Sequence, residues 1–254
     1  MQIVNCQTIR SEILQKVKPN DFNGKIILAI IKESNGANRS YMKSVSRAAK
    51  FYGVHVKRVL LGATNTQAEI RTALLYQPQG TAVLFVGFSG EDRELIESSC
   101  AKELKGKLVL DPSAYPDVVA AAERIVKKKT TPGKPYETVI VGRSWNALRL
   151  QDVFLKDNHT VTICHTQTPN LSAHCRRADV IVSFAGCPGL IRGDMVKDGA
   201  LIVGVGCGFK DGKLCGDIDM ESMADKNVRV TPTPGGVGIV TTALMFEQLA
   251  AWEG

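Results

Sequence analysis

Short apolar runs alternate with amphipathic segments along the first half of the chain. Four runs have the length and β-branched content of strands: "KIILAII" (25–31), "HVKRVLL" (55–61), "TAVLFVGF" (81–88) and "KLVLD" (107–111). The segments around 39–52, 66–77 and 91–104 have helical periodicity. Because strands that alternate with helices form parallel sheets, the pattern predicts an α/β fold.

The second half repeats this alternation after a linker. A helix from Pro116 to about Lys129 is followed by "TTPGKPY" (130–136), which has the proline and glycine content of a connection. Apolar runs follow at 137–142, 159–165, 179–186 and 200–206, and an apolar helix is predicted over about 239–252. We therefore predict two α/β lobes around a cleft. The first is an N-terminal domain of residues 1–130, completed by the C-terminal helix 239–254, and the second is a Rossmann-like dinucleotide-binding domain of residues 131–238.

Composition and charge narrow the class of protein. The chain has 254 residues, of which 44% are hydrophobic, and no window has about 18 uninterrupted apolar residues, so we expect a globular protein without a membrane span. The first residues lack the order of a signal peptide, which predicts a cytoplasmic location. Seven cysteines without C-x-x-C spacing argue against a disulfide framework or a metal site. The net charge of +7 is too dispersed to predict nucleic-acid binding.

Candidate ligand-binding residues follow the first two strands of the second lobe. One strand ends in Gly142-Arg143-Ser144, which places backbone donors and a guanidinium at a carboxyl edge where nucleotide phosphates bind. The next ends in "CHTQT", where His165, Thr166 and Thr168 are predicted contacts beside the same crevice. With Arg143 they can hold the 2′-phosphate of NADP. In the alternative interpretation, Arg143 pairs with a carboxylate and the threonines satisfy turn amides.

A loop rich in glycine and proline precedes the last helix. "TPTPGGVG" contains Pro232 and Pro234, which fix the backbone, and Gly235, Gly236 and Gly238, which let another group approach it closely. Such a loop either cradles a ligand at a helix N-terminus or makes a tight turn between domains. Its spacing alone does not separate the two interpretations.

Three ordered blocks resemble one enzyme family. They are "VIVGRS", the block "TVTICHTQTPNLSAHCRRADVIVSFAGCPGLIRGDMVKDGALIVGVGCGFKDGKLCGDID", and "VTPTPGGVGIVTTALMFEQL". They are similar to segments of the bifunctional methylenetetrahydrofolate dehydrogenase/methenyltetrahydrofolate cyclohydrolase family, closely over about 137–250 and more weakly over about 1–110. The resemblance implies NADP or NAD as cofactor, a folate-type substrate and a homodimer. It also implies that the Pro-Gly-Gly-Val-Gly loop lies between the domains, beside the nicotinamide and the folate.

The chain departs from that family at positions that carry its chemistry. The family has a tyrosine followed four residues later by a lysine on one helix face, whereas "NRSYMKSV" keeps Tyr41 and has Val45. Val86 in "VGFSG" stands at the glutamine of the family's Gln-Leu-Pro-Leu-Pro element. Asp111 is the one candidate for the aspartate that anchors folate. Tyr41 and Asp111 are therefore the predicted catalytic residues.

These departures affect the two activities of the family differently. Leu148 and Leu150 of "GRSWNALRL" replace a glycine and a proline, and a leucine there can obstruct contact with a pyrophosphate. Opening a methenyl ring needs a general acid or base, whereas hydride transfer needs two rings held together and no protein proton carrier. We therefore predict a methylenetetrahydrofolate dehydrogenase that has lost cyclohydrolase activity. The alternative is an inactive or repurposed paralogue that acts as a binding or structural protein, and an oxidoreductase for another substrate ranks third.

Overall fold

A computed structural model gives the fold, and it describes residues 1–32, 36–62, 67–88, 90–110 and 117–253. Asp111 and Pro116 therefore lie outside the described residues. The chain divides into two compact units. We call Met1–Ser11 with Val118–Thr241 the six-stranded unit, and Glu12–Asp117 with Thr242–Gly254 the four-stranded unit.

The secondary structure alternates between strands and helices along most of the chain. The strands are β1 (Gln2–Ile3), β2 (Ile26–Ile31), β3 (His55–Leu60), β4 (Thr81–Val86), β5 (Val109–Leu110), β6 (Glu137–Val141), β7 (Thr160–Cys164), β8 (Val180–Ser183), β9 (Leu201–Gly204), β10 (Cys207–Lys210), β11 (Lys213–Gly216) and β12 (Arg229–Val230). The α-helices are α1 (Cys6–Leu14), α2 (Gly36–Tyr52), α3 (Gln67–Leu74), α4 (Gly90–Ser99), α5 (Ala101–Leu104), α6 (Asp117–Lys129), α7 (Trp145–Lys156), α8 (Leu171–Arg177) and α9 (Val237–Ala251). Short 3₁₀ turns lie at Pro19–Phe22 and Gly193–Met195.

The four-stranded unit is built on a parallel sheet in the order β3-β2-β4-β5. Alternate residues of β2 and β4 pack on opposite faces. Ile27 and Leu84 join an apolar cluster with α2 and the end of α9, and Leu28 and Val83 join another with α3 and α4. Because both faces are covered, all six residues of β4 are buried, which explains the uninterrupted apolar sequence of that strand.

The six-stranded unit has a parallel sheet in the order β1-β12-β9-β8-β6-β7. Strands β8 and β9 are fully buried, and α7 buries a stripe of Ala147, Leu150 and Phe154 at helical spacing. Strands β10 and β11 form a separate antiparallel hairpin. Its turn residues Asp211 and Gly212 both have positive φ, as a two-residue hairpin of this kind requires.

The predicted α/β class with parallel sheets is confirmed, and each of the eight apolar runs contains a strand. Strands β1 and β12, which have two residues each, and the β10–β11 hairpin were not predicted from the sequence. The helix predicted over 91–104 is divided into α4 and α5, because the backbone at Cys100 leaves the helical region. The predicted limits of the two domains stay a prediction.

No helix among the described residues is long and apolar enough to cross a membrane. The histidine, cysteine, aspartate and glutamate residues in the described ranges form no group of three or more that could hold a metal ion. The cysteines are free thiols, and four of the seven are buried.

Candidate active site

The cofactor residues predicted from the sequence all follow strands at the carboxyl edge of the six-stranded sheet. Gly142 follows β6 and His165 follows β7, and the Gly142 amide donates to the Cys164 carbonyl at 2.7 Å, which extends the pairing of these two strands. The glycine-rich loop follows β12 on the same edge. Since paired strands lie about 4.8 Å apart, β12 and β6 are separated by about 14 Å, with β9 and β8 between them. Ligands of open α/β sheets bind at this edge.

The turn from β6 into α7 has the features of an anion site. Gly142 has φ +125°, and a Cβ atom there would lie 3.1 Å from the Cβ of Phe184, so the turn requires glycine. Ser144 is the N-cap of α7, and its side chain accepts a hydrogen bond from the Ala147 amide at 3.4 Å. Arg143 is exposed between them and has no ion-pair partner in the described part of the chain. Backbone donors at a helix N-terminus beside a free guanidinium favour a bound phosphate.

The turn after β7 uses two of its predicted cofactor contacts for its own structure. The His165 amide donates to the Thr168 hydroxyl at 2.9 Å, and the Thr168 amide returns a bond to the His165 carbonyl at 2.9 Å. The Gln167 amide donates to Nδ1 of His165 at 3.2 Å, which leaves the ring proton on Nε2. The Thr168 hydroxyl therefore satisfies an amide of the turn, as the alternative interpretation predicts, whereas the Thr166 side chain is exposed.

The three glycines of the loop after β12 differ in whether and why the structure requires glycine at their positions. Gly235 has φ +95°, a conformation that other residues rarely adopt. A Cβ atom on Gly236 would lie 2.2 Å from the Pro232 carbonyl oxygen, so the turn itself excludes a side chain there. A Cβ atom on Gly238 would meet no described atom within 4 Å, and its φ is not positive. The described structure therefore gives no steric reason for glycine at position 238, in the first turn of α9.

The two positions where the resemblance expects a lysine and a glutamine lie in the core of the four-stranded unit. Val45 on α2 and Val86 at the end of β4 are 0% and 1% exposed and belong to one apolar cluster. Tyr41, one turn before Val45, packs against the same cluster, and its hydroxyl donates to the sulfur of Met245 at 3.4 Å. The second predicted catalytic residue, Asp111, lies outside the described residues.

A charged pair that the sequence analysis missed lies at the carboxyl end of β2. Lys32 donates to both carboxylate oxygens of Asp92, at 2.7 and 2.8 Å, and its ammonium lies 6.0 Å from the centre of the Phe88 ring. The Lys32 amide donates to the Val86 carbonyl at 2.9 Å, which places the lysine beside Val86. Lys32 and Asp92 are 60 positions apart, so their pairing leaves no local signal in the sequence.

A buried carboxylate was missed at the edge of the six-stranded sheet. Asp217 follows β11 directly, is 0% exposed, and accepts hydrogen bonds from the segment that follows β8. Burial raises the pKa of this carboxyl group, against the opposing effect of the Ser183 hydroxyl and of backbone amides. Glycine followed by aspartate, as in "CGDID", is typical of exposed turns, so no local pattern indicates that Asp217 is buried.

The chain is similar in sequence to known proteins. Residues 116–253 match the family model described as tetrahydrofolate dehydrogenase/cyclohydrolase, NAD(P)-binding domain. The bifunctional protein FolD of Moorella thermoacetica is 30% identical over 259 residues, which cover 94% of this chain and 92% of that protein.

Solved structures share the fold over nearly the whole chain. The bifunctional enzyme FolD of Campylobacter jejuni, a methylenetetrahydrofolate dehydrogenase/cyclohydrolase, has a TM-score of 0.80 at 24% identity and covers 98% of this chain and 97% of its own. The corresponding Trypanosoma brucei enzyme, complexed with NADP cofactor and inhibitor, has a TM-score of 0.75 at 22% identity, with coverage of 96% and 92%. At these identities the likeness shows the fold.

Proposed function

Because the chain belongs to the tetrahydrofolate dehydrogenase/cyclohydrolase family, we propose that it transfers hydride from methylenetetrahydrofolate to NADP or NAD and has lost cyclohydrolase activity. The family's NAD(P)-binding domain covers residues 116–253. The proposal separates two activities that differ in what they require of the protein. Hydride transfer requires a bound and oriented cofactor, and ring opening requires a side chain that moves protons.

The observation that carries the dehydrogenase proposal is the shared sheet edge. Gly142, Arg143 and Ser144 offer a bare turn, a guanidinium and a helix N-terminus after β6, and a Cβ atom on Gly238, after β12, would meet no atom of the described residues within 4 Å. The cofactor supplies the hydride chemistry when bound, and these residues would bind its phosphates and orient its ring. Thr166 is the exposed candidate contact after β7.

The proposed loss of cyclohydrolase activity rests on Val45 and Val86. Both side chains are buried among apolar neighbours, and neither can accept or donate a proton. A general acid or base at an active site typically contributes about 10²–10⁴-fold to the rate. Lys32 lies beside Val86, but Asp92 holds its ammonium with two hydrogen bonds. We propose that this pair does not replace the family's lysine.

A titration followed by two assays tests both parts. Purified protein is titrated with NADP and with NAD by calorimetry and then supplied with methylenetetrahydrofolate. We expect binding of at least one dinucleotide and formation of the methenyl product. In a second assay, we expect methenyltetrahydrofolate to form formyltetrahydrofolate at the spontaneous rate. No binding at millimolar cofactor would end the oxidoreductase proposal, and conversion well above the spontaneous rate would show that the cyclohydrolase persists.

One observation favours the second candidate function, an inactive or repurposed family member. Leu148 is 47% exposed in the first turn of α7, at the position where the resemblance expects glycine. Leu150, in contrast, is fully buried with Ala147 and Phe154, so it fills the core beneath the helix. If the chain is an inactive or repurposed family member, the wild type should not bind a dinucleotide, and Leu148→Gly should restore binding. If the wild-type chain already binds the cofactor, Leu148 is no barrier.

We also propose a homodimer, as the resemblance implies, and separately a cytoplasmic location. Sedimentation of the purified chain measures the oligomeric state, and cell fractionation measures the location. A monomer at micromolar concentration, or enrichment in a membrane fraction, would contradict these proposals.

A further inference from the structure

Asp217 is a fully buried carboxylate with an unusually complete set of donors. Its Oδ2 accepts from the Ser183 hydroxyl at 2.6 Å and from the Ala185 amide at 2.9 Å, and its Oδ1 accepts from the Cys187 amide at 2.8 Å. The donors all belong to residues 183–188, which we call the β8 loop. Backbone amides that converge on one point form an anion-binding concavity. Here the anion belongs to the chain itself.

The same carboxylate is packed against the end of the neighbouring strand. A Cβ atom on Gly206, just after β9, would lie 2.2 Å from Oδ2 of Asp217, so only glycine fits beside the carboxylate. The Asp217 amide donates to the Gly206 carbonyl at 3.2 Å, and the Val205 and Gly206 amides donate to the Ser183 carbonyl at 2.8 and 2.9 Å. Asp217 therefore ties together the segments that follow β8 and β9.

These segments occupy the centre of the candidate cofactor edge. Strands β9 and β8 lie between β12, which leads into the glycine-rich loop, and β6, which leads into the Gly142–Ser144 turn. Phe184 in the β8 loop also contacts the site, because a Cβ atom on Gly142 would lie 3.1 Å from its Cβ. The position of the β8 loop thus sets the space beside Gly142.

We propose that Asp217 is a positioning residue of the dinucleotide site. Its carboxylate fills the amide concavity after β8, fixes the β8 loop against Gly142, and leaves the helix N-terminus after β6 as the place for the cofactor's pyrophosphate. This inference rests on the proposed binding of NADP or NAD. Asp217 itself touches no cofactor and acts through the Ser183 hydroxyl and the loop amides.

Two variants test the inference in the full-length chain. Asp217→Asn keeps the shape but turns an NH₂ donor toward other donors, so we expect the affinities for NADP and NAD to fall together, by about tenfold or more. Ser183→Ala removes one donor and should weaken both cofactors less, and Ser183→Thr, which keeps the hydroxyl, should rescue binding. Asp219→Asn is the matched control, since Asp219 accepts from the Ser222 amide at 3.2 Å.

Amide hydrogen exchange supplies a local measure that is independent of ligand. We expect faster exchange at the Ala185 and Cys187 amides in Asp217→Asn than in the wild type and in Asp219→Asn. If Asp217→Asn does not fold, the contrast between Ser183→Ala and Ser183→Thr decides. If the wild-type chain binds a dinucleotide and the Asp217 and Ser183 variants bind it with the same affinity, this inference is overturned and the proposed function is not. A wild-type chain that binds neither dinucleotide would overturn the proposed function and this inference with it.

Discussion

The hydroxyl of Tyr41 donates a hydrogen bond to the sulfur of Met245, 3.4 Å away on α9. A thioether is a weak acceptor and does not exchange protons. Four residues after Tyr41, on the same helix, Val45 is completely buried. Tyr41 and Val45 therefore lie against the same apolar cluster.

We expect Val45→Lys to give no cyclohydrolase activity. The new ammonium would be buried in the apolar cluster that contains Val86 and Met245, where an uncompensated charge costs about 3–5 kcal/mol. Val45→Met, which has similar length and no charge, is the control for packing alone. Denaturant unfolding and the methenyl hydrolysis assay measure the two effects. A stable Val45→Lys variant that opens the methenyl ring would contradict the proposed loss.

We expect Arg143→Ala to weaken NADP about tenfold or more and to leave NAD nearly unchanged. A guanidinium bonded to the 2′-phosphate contributes about 1.5–3 kcal/mol through charged hydrogen bonds. Arg149→Ala is the control, because Arg149 lies on α7, just after the turn that contains Arg143, and its guanidinium stacks on the Trp145 ring at 4.6 Å. Calorimetric titration of both variants with both cofactors gives the change in affinity for NADP and for NAD relative to the wild type. Equal losses for NADP and NAD in Arg143→Ala would mean that the arginine only shapes the turn.

We expect two glycine substitutions in the loop after β12 to have different effects. Gly236→Ala should destabilise the chain, because its Cβ atom would overlap the Pro232 carbonyl oxygen. Gly238→Ala should keep the stability or raise it by up to about 1 kcal/mol, since alanine favours a helix, and should weaken the dinucleotide. Thermal unfolding with and without NADP measures both. Unchanged cofactor affinity in Gly238→Ala would remove Gly238 from the site.

We expect Lys25→Met to destabilise the protein by about 1–2 kcal/mol. The Lys25 ammonium donates to the carbonyls of Leu249 and Ala250, at 2.7 and 3.0 Å, and so neutralises the C-terminal end of α9. Lys16→Met is the matched control, since Lys16 lies 3.9 Å from Glu247 of the same helix and is 69% exposed. Exposed pairs of this kind contribute little. Similar losses in the two variants would show that α9 is not capped by Lys25.

We expect the stability of the protein to fall as the pH drops through the histidine range, and His159 to cause part of that fall. Its ring stacks on Phe154, with centroids 5.1 Å apart, and its Nδ1 lies 3.0 Å from the Thr138 hydroxyl. Burial lowers the pKa of His159 below 6.5, against the attraction of Asp157. The unfolded chain therefore binds a proton at a higher pH than the folded chain, so this contribution is present above about pH 6.5 and declines below it.

Unfolding free energies at about pH 7.5 and about pH 5.5 measure this slope. His159→Gln should have a smaller difference between the two conditions than the wild type. His55→Gln, at an exposed position of β3, is the control and should keep the wild-type difference. A slope that is unchanged in His159→Gln would assign the titration to another group.

The sequence predicted the long elements well, because their patterns are local. The uninterrupted apolar run of β4 reflects burial on both faces, and the stripe of Ala147, Leu150 and Phe154 reflects helical spacing. The hairpin of β10 and β11 was missed, although "KDGK" carries an aspartate-glycine turn signal at Asp211 and Gly212. Its short strands have no clear apolar alternation.

The candidate site was predictable only where backbone chemistry leaves a trace in the sequence. Gly142 and Gly236 are required by crowding and turn geometry, and glycine reports such positions directly. Asp217 and the Lys32–Asp92 pair depend on contacts between residues that are far apart in the chain, so no local pattern indicates them. The Thr168 hydroxyl accepts a hydrogen bond from the His165 amide, and the sequence alone does not separate this turn contact from a contact with the cofactor.

The burial of Val45 and Val86 in one cluster has an evolutionary consequence. A lysine at position 45 would place a charge among apolar neighbours, and a glutamine at position 86 would bury an amide in the same apolar cluster. Either substitution made alone is expected to lower stability without restoring a polar pair. The effects of the two substitutions are therefore expected to be non-additive. A chain with a lysine at position 45 and a glutamine at position 86 is therefore hard to reach from this sequence by single substitutions, each of which must pass through a less stable protein.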